Sequence, residues 1–209
     1  MNILRLCKNA AAAAGLSIAL MHAPANAAVD FNTNVNPIAN GTTVLSGGYS
    51  FSSPSYIGVM NSDSLGLPQS SSVANNHTPM LVFSNTGQVT VTQTGGGLFS
   101  LGSLDAGGWL NGPIAGGLQL NIVGHNTVAG DQFASLSLPP SSFAHITLSP
   151  LFTNLTSLTL SVTGYTSFAF AAADNLTLAP VPEPETYALL LAGLGLLAAA
   201  ARRRKVRRS

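Results

Sequence analysis

Three short stretches of the chain alternate apolar and polar residues with period two: QVTVTQT at 88–94, LQLNI at 118–122 and LTLSV at 158–162. That period puts Val89 and Val91, then Leu118, Leu120 and Ile122, then Leu158, Leu160 and Val162 on one face of a strand, with Thr, Gln, Asn and Ser on the other. No sustained helical period runs through the region between residues 28 and 180. Further strands are expected at 42–51, 80–84, 97–104, 132–138, 143–148, 166–171 and 174–179. Turn chemistry separates them at Asn85-Thr86-Gly87, Gly95-Gly96-Gly97, Ala129-Gly130-Asp131 and Leu138-Pro139-Pro140. Strands this regular, each with one polar face, predict an all-β antiparallel sandwich or barrel rather than βαβ units. The density of Leu, Val, Ile and Phe at alternating positions argues against disorder. The polar stretches 30–41 and 61–79 read as long loops.

The formal net charge of +1 conceals a segregation. All eight Lys and Arg lie at the two ends, as Arg5, Lys8, Arg202, Arg203, Arg204, Lys205, Arg207 and Arg208. Between Ala28 and Pro180 the charged residues are Asp30, Asp63, Asp105, Asp131 and Asp174. A domain without cations has nothing to replace the counterions of a phosphate backbone, so nucleic acid is excluded as its partner. Cys7 is the sole cysteine, which rules out a disulfide framework or a cysteine-ligated metal in the domain.

Both ends read as targeting segments. At the front, Arg5 and Lys8 precede an apolar run from about Ala10 to Met21, and Ala25-Asn26-Ala27 is a small-x-small cleavage site. This pattern predicts a secretory signal peptide over 1–27, cut after Ala27. At the back, Val181-Pro182-Glu183-Pro184 leads into the apolar run 187–201, followed by the basic cluster Arg202, Arg203, Arg204, Lys205, Arg207 and Arg208. As a helix those 15 apolar residues reach about 22 Å, short of the roughly 30 Å hydrocarbon core of a bilayer. A short transmembrane helix at 187–201 is therefore expected to insert marginally, its basic flank held in the cytoplasm and the domain outside. The expected organisation is a signal peptide at 1–27, a sandwich ectodomain at 28–180 and a sorting segment at 181–209.

The sequence VPEPETYALLLAGLGLLAAAARRRK resembles the PEP-CTERM sorting signal of Gram-negative bacteria, with its Pro-Glu-Pro, its Leu/Ala/Gly-rich helix and its arginine cluster in the same order. The resemblance implies export, an inner-membrane intermediate, recognition and processing by an exosortase near the Pro-Glu-Pro, and a final place at the cell surface or outside it. It also implies association with exopolysaccharide and biofilm. Within 80–179, a second resemblance rests on Phe99, Leu101, Ser103, Leu104 and Asp105, then Val123 and Gly124, then Phe152, Asn154, Leu155, Ser157 and Leu158, and finally Asp174, Asn175, Leu176 and Leu178. In that order they resemble the jelly-roll β-sandwiches of bacterial surface proteins, akin to carbohydrate-binding modules.

Little in the domain points to catalysis. There is no Gly-x-Ser-x-Gly elbow, and His77, His125 and His145 lack the spacing of metal ligands. Glycoside hydrolysis needs two carboxyl groups across a cleft, for which Asp105 and Asp174 are the available pair. By the jelly-roll resemblance, Asp105, Asp174 and Asn175 are instead candidate calcium ligands, although turn capping is the role their residue types favour, and no other cofactor is expected. Trp109, in the Gly-rich AGGWLNGP stretch, is the candidate sugar platform, with Tyr49, Tyr56 and Tyr165 behind it. The expected function is a non-catalytic surface or matrix protein contacting exopolysaccharide. The alternatives are a hydrolase or lyase acting on matrix polysaccharide and a purely structural matrix component.

Overall fold

The computed structural model describes residues 27–32, 37–61, 63, 74–109, 117–140, 142–164, 169–182 and 184–206. The expected signal peptide lies outside them, apart from Ala27. Among the described residues, thirteen strands form two antiparallel sheets. Sheet A contains β1 (Ala27–Val29), β2 (Ala39–Asn40), β5 (Tyr56–Met60), β6 (Met80–Ser84), β8 (Leu98–Trp109), β11 (Ala144–Thr147) and β13 (Phe170–Val181), ordered β11-β8-β13-β6-β5-β2 with β1 beside β13. Sheet B contains β3 (Thr43–Ser46), β4 (Tyr49–Ser52), β7 (Gln88–Gln93), β9 (Leu118–His125), β10 (Gln132–Leu138) and β12 (Ser157–Thr163), ordered β10-β9-β12-β7-β4-β3. The sheets meet over one apolar core that includes Phe51, Val89, Val91, Phe99, Leu101, Leu120, Ile122, Leu158 and Leu160. The period-two stretches place their apolar residues there, as their alternation requires.

Several expectations are refined. The stretch 42–51 is a hairpin, turned at Gly47 and Gly48, whose φ of 57° and 82° suit glycine. Strands expected at 166–171 and 174–179 are one strand, β13, carrying a bulge. Asp174 pairs with Asp105 and Thr177 with Ser103, so three steps on β13 match two on β8. Asn175 sits within the bulge at φ 50°, a left-handed conformation that asparagine tolerates. The extra residue reverses the side-chain parity. Ala171 and Ala173 face the core before it, Leu176 and Leu178 after it.

The third group of jelly-roll residues forms a tie between the sheets. Phe99 and Leu155 exchange backbone hydrogen bonds of 3.0 and 2.8 Å, and Leu101 N–H donates to the Phe152 carbonyl at 2.9 Å. A Cβ on Gly124 would come within 2.9 Å of Leu155 and 3.0 Å of Phe152, so only glycine lets that segment lie against β9. Asn154 makes the reversal between them at φ 54°.

The outer faces of the two sheets differ. That of sheet A carries a second apolar cluster of Met80, Val82, Phe170 and Ala172, against which Ile38, Met60 and Phe143 pack. Gly107 lies beneath Ala74 and the Ser142 carbonyl, where a side chain would collide with both. The outer face of sheet B presents polar side chains to solvent.

The C-terminal helix, α1, runs Pro184–Val206. Pro184 takes the first helical position, where the missing N–H costs nothing. The helix contains the apolar run 187–201, extends beyond it at both ends and carries Arg202 to Lys205 in its last turns. Among the described residues, no helix is long and apolar enough to cross a membrane. Leu189, Leu191 and Leu196 are each more than two-thirds exposed, so the apolar part of α1 is not spent on packing against the sandwich.

Candidate functional site

The candidate residues Asp105, Asp174 and Asn175 come together on the outer face of sheet A. Asp105 stands opposite Asp174 on β13 and opposite His145 on β11. Asp174 is 1% exposed. Its Oδ2 accepts hydrogen bonds from Asn76 Nδ2 at 2.7 Å and Thr78 Oγ1 at 2.9 Å, and its Oδ1 accepts from the Asn175 N–H at 2.8 Å. Asp105 Oδ2 accepts from Asn175 Nδ2 at 2.8 Å, while its Oδ1 lies 2.7 Å from His145 Nδ1. Two loop residues absent from the sequence reading, Asn76 and Thr78, therefore complete the cluster.

These contacts do structural work: a buried carboxylate without a cation is held by three donors, and in return pins 76–78 to β13. A calcium ion would have to replace those donors, with the Asn76 and Asn175 amides turned to offer oxygen. Among the described residues, no group of three or more His, Cys, Asp or Glu is arranged to hold a metal. Nearby, Asp63 accepts from Asn75 Nδ2 at 2.6 Å and lies 3.0 Å from His77 Nδ1. The hydrogen bonds from Asn75, then those from His77, hold its carboxyl below its usual pKa.

On sheet B, Asp131 Oδ1 lies 3.2 Å from His125 Nδ1, and His125 Nε2 lies 3.0 Å from Thr159 Oγ1. Acid, imidazole and hydroxyl stand in the order of a hydrolase triad. Yet Thr159 sits on β12, hydrogen-bonded to β7 on one side and β9 on the other. The backbone N–H groups around it belong to the sheet ladders, leaving none aimed outward to stabilise an oxyanion.

The aromatic candidates are redistributed. Trp109 ends β8 opposite Phe170 instead of occupying a loop; its side chain, like Tyr165, lies outside the described part. Tyr49 is a core residue, edge-on to Phe99 with centroids 5.5 Å apart. Tyr56 is partly exposed. Among the described residues, the most exposed aromatic on a sheet is Phe133 on β10, 73% exposed against 41% for Tyr56. The alternation in QFASLSL carried the signal, since Ala134, Leu136 and Leu138 share one parity and Phe133 has the other.

From Phe133 a row crosses the open face through Val123, Thr159, Thr90 and Ser52 to Thr43. The adjacent row is Ser135, Asn121, Ser161 and Gln88. Ser135 Oγ donates to Asn121 Oδ1 at 2.8 Å, and Asn121 Nδ2 to Thr163 Oγ1 at 3.0 Å. Both rows are uncharged.

The sorting segment is closely joined to the sandwich. β13 continues through Pro180, opposite Phe99, to Val181, opposite Leu98. Pro180, the last residue of the expected ectodomain, is thus part of its sheet. The helix begins at Pro184, so only Pro182 and Glu183 separate strand from helix. β1 runs antiparallel to β13, with Ala27 opposite Leu178. Residue 27 and the Pro-Glu-Pro therefore leave the sandwich at the same end.

A comparison with curated protein sequences finds no match. Among solved structures, the chain is similar to TmCBM61 in complex with β-1,4-galactotriose, at 10% identity over 73% of this chain and 94% of that one, with a TM-score of 0.43. It is similar to a CBM22-1 xylan-binding domain from Paenibacillus barcinonensis, at 12% identity over 75% and 94%, TM-score 0.38. It is also similar to a family 11 carbohydrate-binding module from Clostridium thermocellum, at 12% identity over 78% and 98%, TM-score 0.36. The C-terminal segment matches a family model described as the PEP-CTERM protein-sorting motif, over residues 180–205. Those residues, from the last two positions of β13 through α1, carry a PEP-CTERM protein-sorting motif, the mark of a protein exported through the membrane and sorted by an exosortase to the cell surface.

Proposed function

We propose that the sandwich is a non-catalytic domain of the cell surface or extracellular matrix, which holds a neutral exopolysaccharide, such as that of a biofilm, against the outer face of sheet B. The observation that carries this reading is the open face crossed by uncharged hydroxyl and amide rows, with Phe133 standing 73% exposed at its margin. Hydroxyls and amides exchange hydrogen bonds with water for those with sugar hydroxyls at little net cost. A phenyl face supplies the apolar contact that a pyranose ring stacks on. The absence of Lys and Arg between residues 28 and 180 favours a neutral polymer over an anionic one.

The Asp131–His125–Thr159 alignment favours a second reading, hydrolysis of the same polymer. Without outward N–H donors at Thr159, that alignment orders the face and does not catalyse. Calcium, bound by Asp105, Asp174 and Asn175, would act here as a brace on sheet A, read out as calcium-dependent melting of the full chain.

Affinity electrophoresis of the full chain in gels containing neutral or anionic polysaccharides is the test. Retardation is expected in a neutral polymer, with Phe133→Ala weakening it by about tenfold, the loss of one aromatic anchor. Retardation only by anionic polymers, or none, contradicts the reading. Release of reducing ends that stops in His125→Ala would instead support hydrolysis.

A further inference from the structure

We propose that β10 is a self-pairing edge, through which two copies of the chain join their B sheets about a two-fold axis at Ser135. β10 pairs with β9 through seven consecutive residues, Gln132 to Leu138, without a bulge. Along its other edge, among the described residues, it has no strand partner. Exposed edges in natural sheets are ordinarily guarded by charge, proline, a bulge or extreme shortness. The sequence QFASLSL has none of these. The remaining outer strands are shorter: β3 and β11 have four residues each, and β2 has two.

Both faces of this edge carry apolar side chains left partly uncovered. Phe133 stands out on the outer face, while Ala134 and Leu136 are only partly buried against the core on the inner one. A second copy is the occupant that fits. With the two-fold at Ser135, Ala134 of one copy falls opposite Leu136 of the other, twice, and closes the core margin with an apolar pair. Phe133 falls opposite Ser137 on the outer face, and Gln132 opposite Leu138. Directly opposed cross-strand pairs of this kind are what stabilises a sheet. Charge permits the pairing as well. The strand is neutral, and the flanking Asp131 carboxylates of the two copies would lie about 27 Å apart along the seam, well beyond a Debye length of about 8 Å. The interface is isologous and closes at two copies. It stands whether or not the outer face binds polysaccharide.

Sedimentation velocity of the full chain in detergent, over a concentration series, measures the association. The expected result is a monomer–dimer equilibrium whose Kd rises by about tenfold or more in Ser135→Lys, because the two ammonium groups meet at the axis. Thr43→Lys, on the edge of β3, is expected to leave it unchanged. In a Cys7→Ser background, Ser135→Cys is expected to form a disulfide-linked dimer on mild oxidation, since directly opposed Cβ atoms lie about 4.5–5.5 Å apart. Ser135 is exposed, so both variants keep the fold, checked by unchanged melting. A chain monomeric at every concentration overturns the proposal. So does association that survives Ser135→Lys, association lost in Thr43→Lys, or failure of Ser135→Cys to cross-link in a chain that still dimerises.

Discussion

Tyr49 lies in the core with its ring edge-on to Phe99 and its hydroxyl without a hydrogen-bond partner among the described residues. Burial alone pushes its pKa above the usual tyrosine value. Tyr49→Phe removes an unpaired polar group and keeps the ring, so it is expected to stabilise the chain by about 1 kcal/mol in urea unfolding. A phenol harder to ionise when folded stabilises fully below pH of about 10, and that contribution is lost as pH rises through the folded pKa. The alkaline loss of stability should therefore be smaller in Tyr49→Phe. Asp174 is the opposite case, a buried carboxylate with every contact satisfied. Asp174→Ala strands Asn76, Thr78 and the Asn175 N–H, and is expected to cost about 2–3 kcal/mol, measured in the same unfolding experiment. Asp174→Asn, which keeps an acceptor, is expected to cost less.

At the scale of elements, the strands with strict alternation were legible from the sequence, and β10 begins and ends at the expected residues, 132 and 138. Their parity is set by burial alone, which sequence records directly. β5 was not legible, because Tyr56–Met60 has one exposed end followed by three consecutive buried residues and no alternation. Nor was the continuity of β13, because its bulge reverses parity at Asn175 and looks like the end of one strand and the start of another. Asp105 and Asp174, candidates in the sequence, stand opposite each other on β8 and β13. The role of Asp174 was not readable, since it depends on Asn76 and Thr78, some 100 residues away in sequence. Gly124 tests the tie between the sheets: Gly124→Val drives methyl groups into Leu155 and Phe152 and is expected to destabilise by about 2–3 kcal/mol, read as a lowered unfolding midpoint with unchanged slope.

For the whole molecule, the two sheets divide the labour. Sheet A buries its outer cluster under the 37–38 and 142–143 segments and carries the strand that leads into the sorting motif, while sheet B keeps its polar face open. Because β13 pairs with β8 up to Val181, and α1 starts at Pro184, the connector between sheet and helix is confined to Pro182 and Glu183. Cutting there removes the helix and its arginines without breaking a pair of the sheet; cutting earlier costs the Pro180–Phe99 and Val181–Leu98 pairs. Intact-mass spectrometry of the mature protein recovered from the cell surface tests this account most directly. It predicts a C-terminus within Pro182–Pro184 and no trace of Arg202–Lys205; a surface protein whose mass still includes the chain through Ser209 would contradict it.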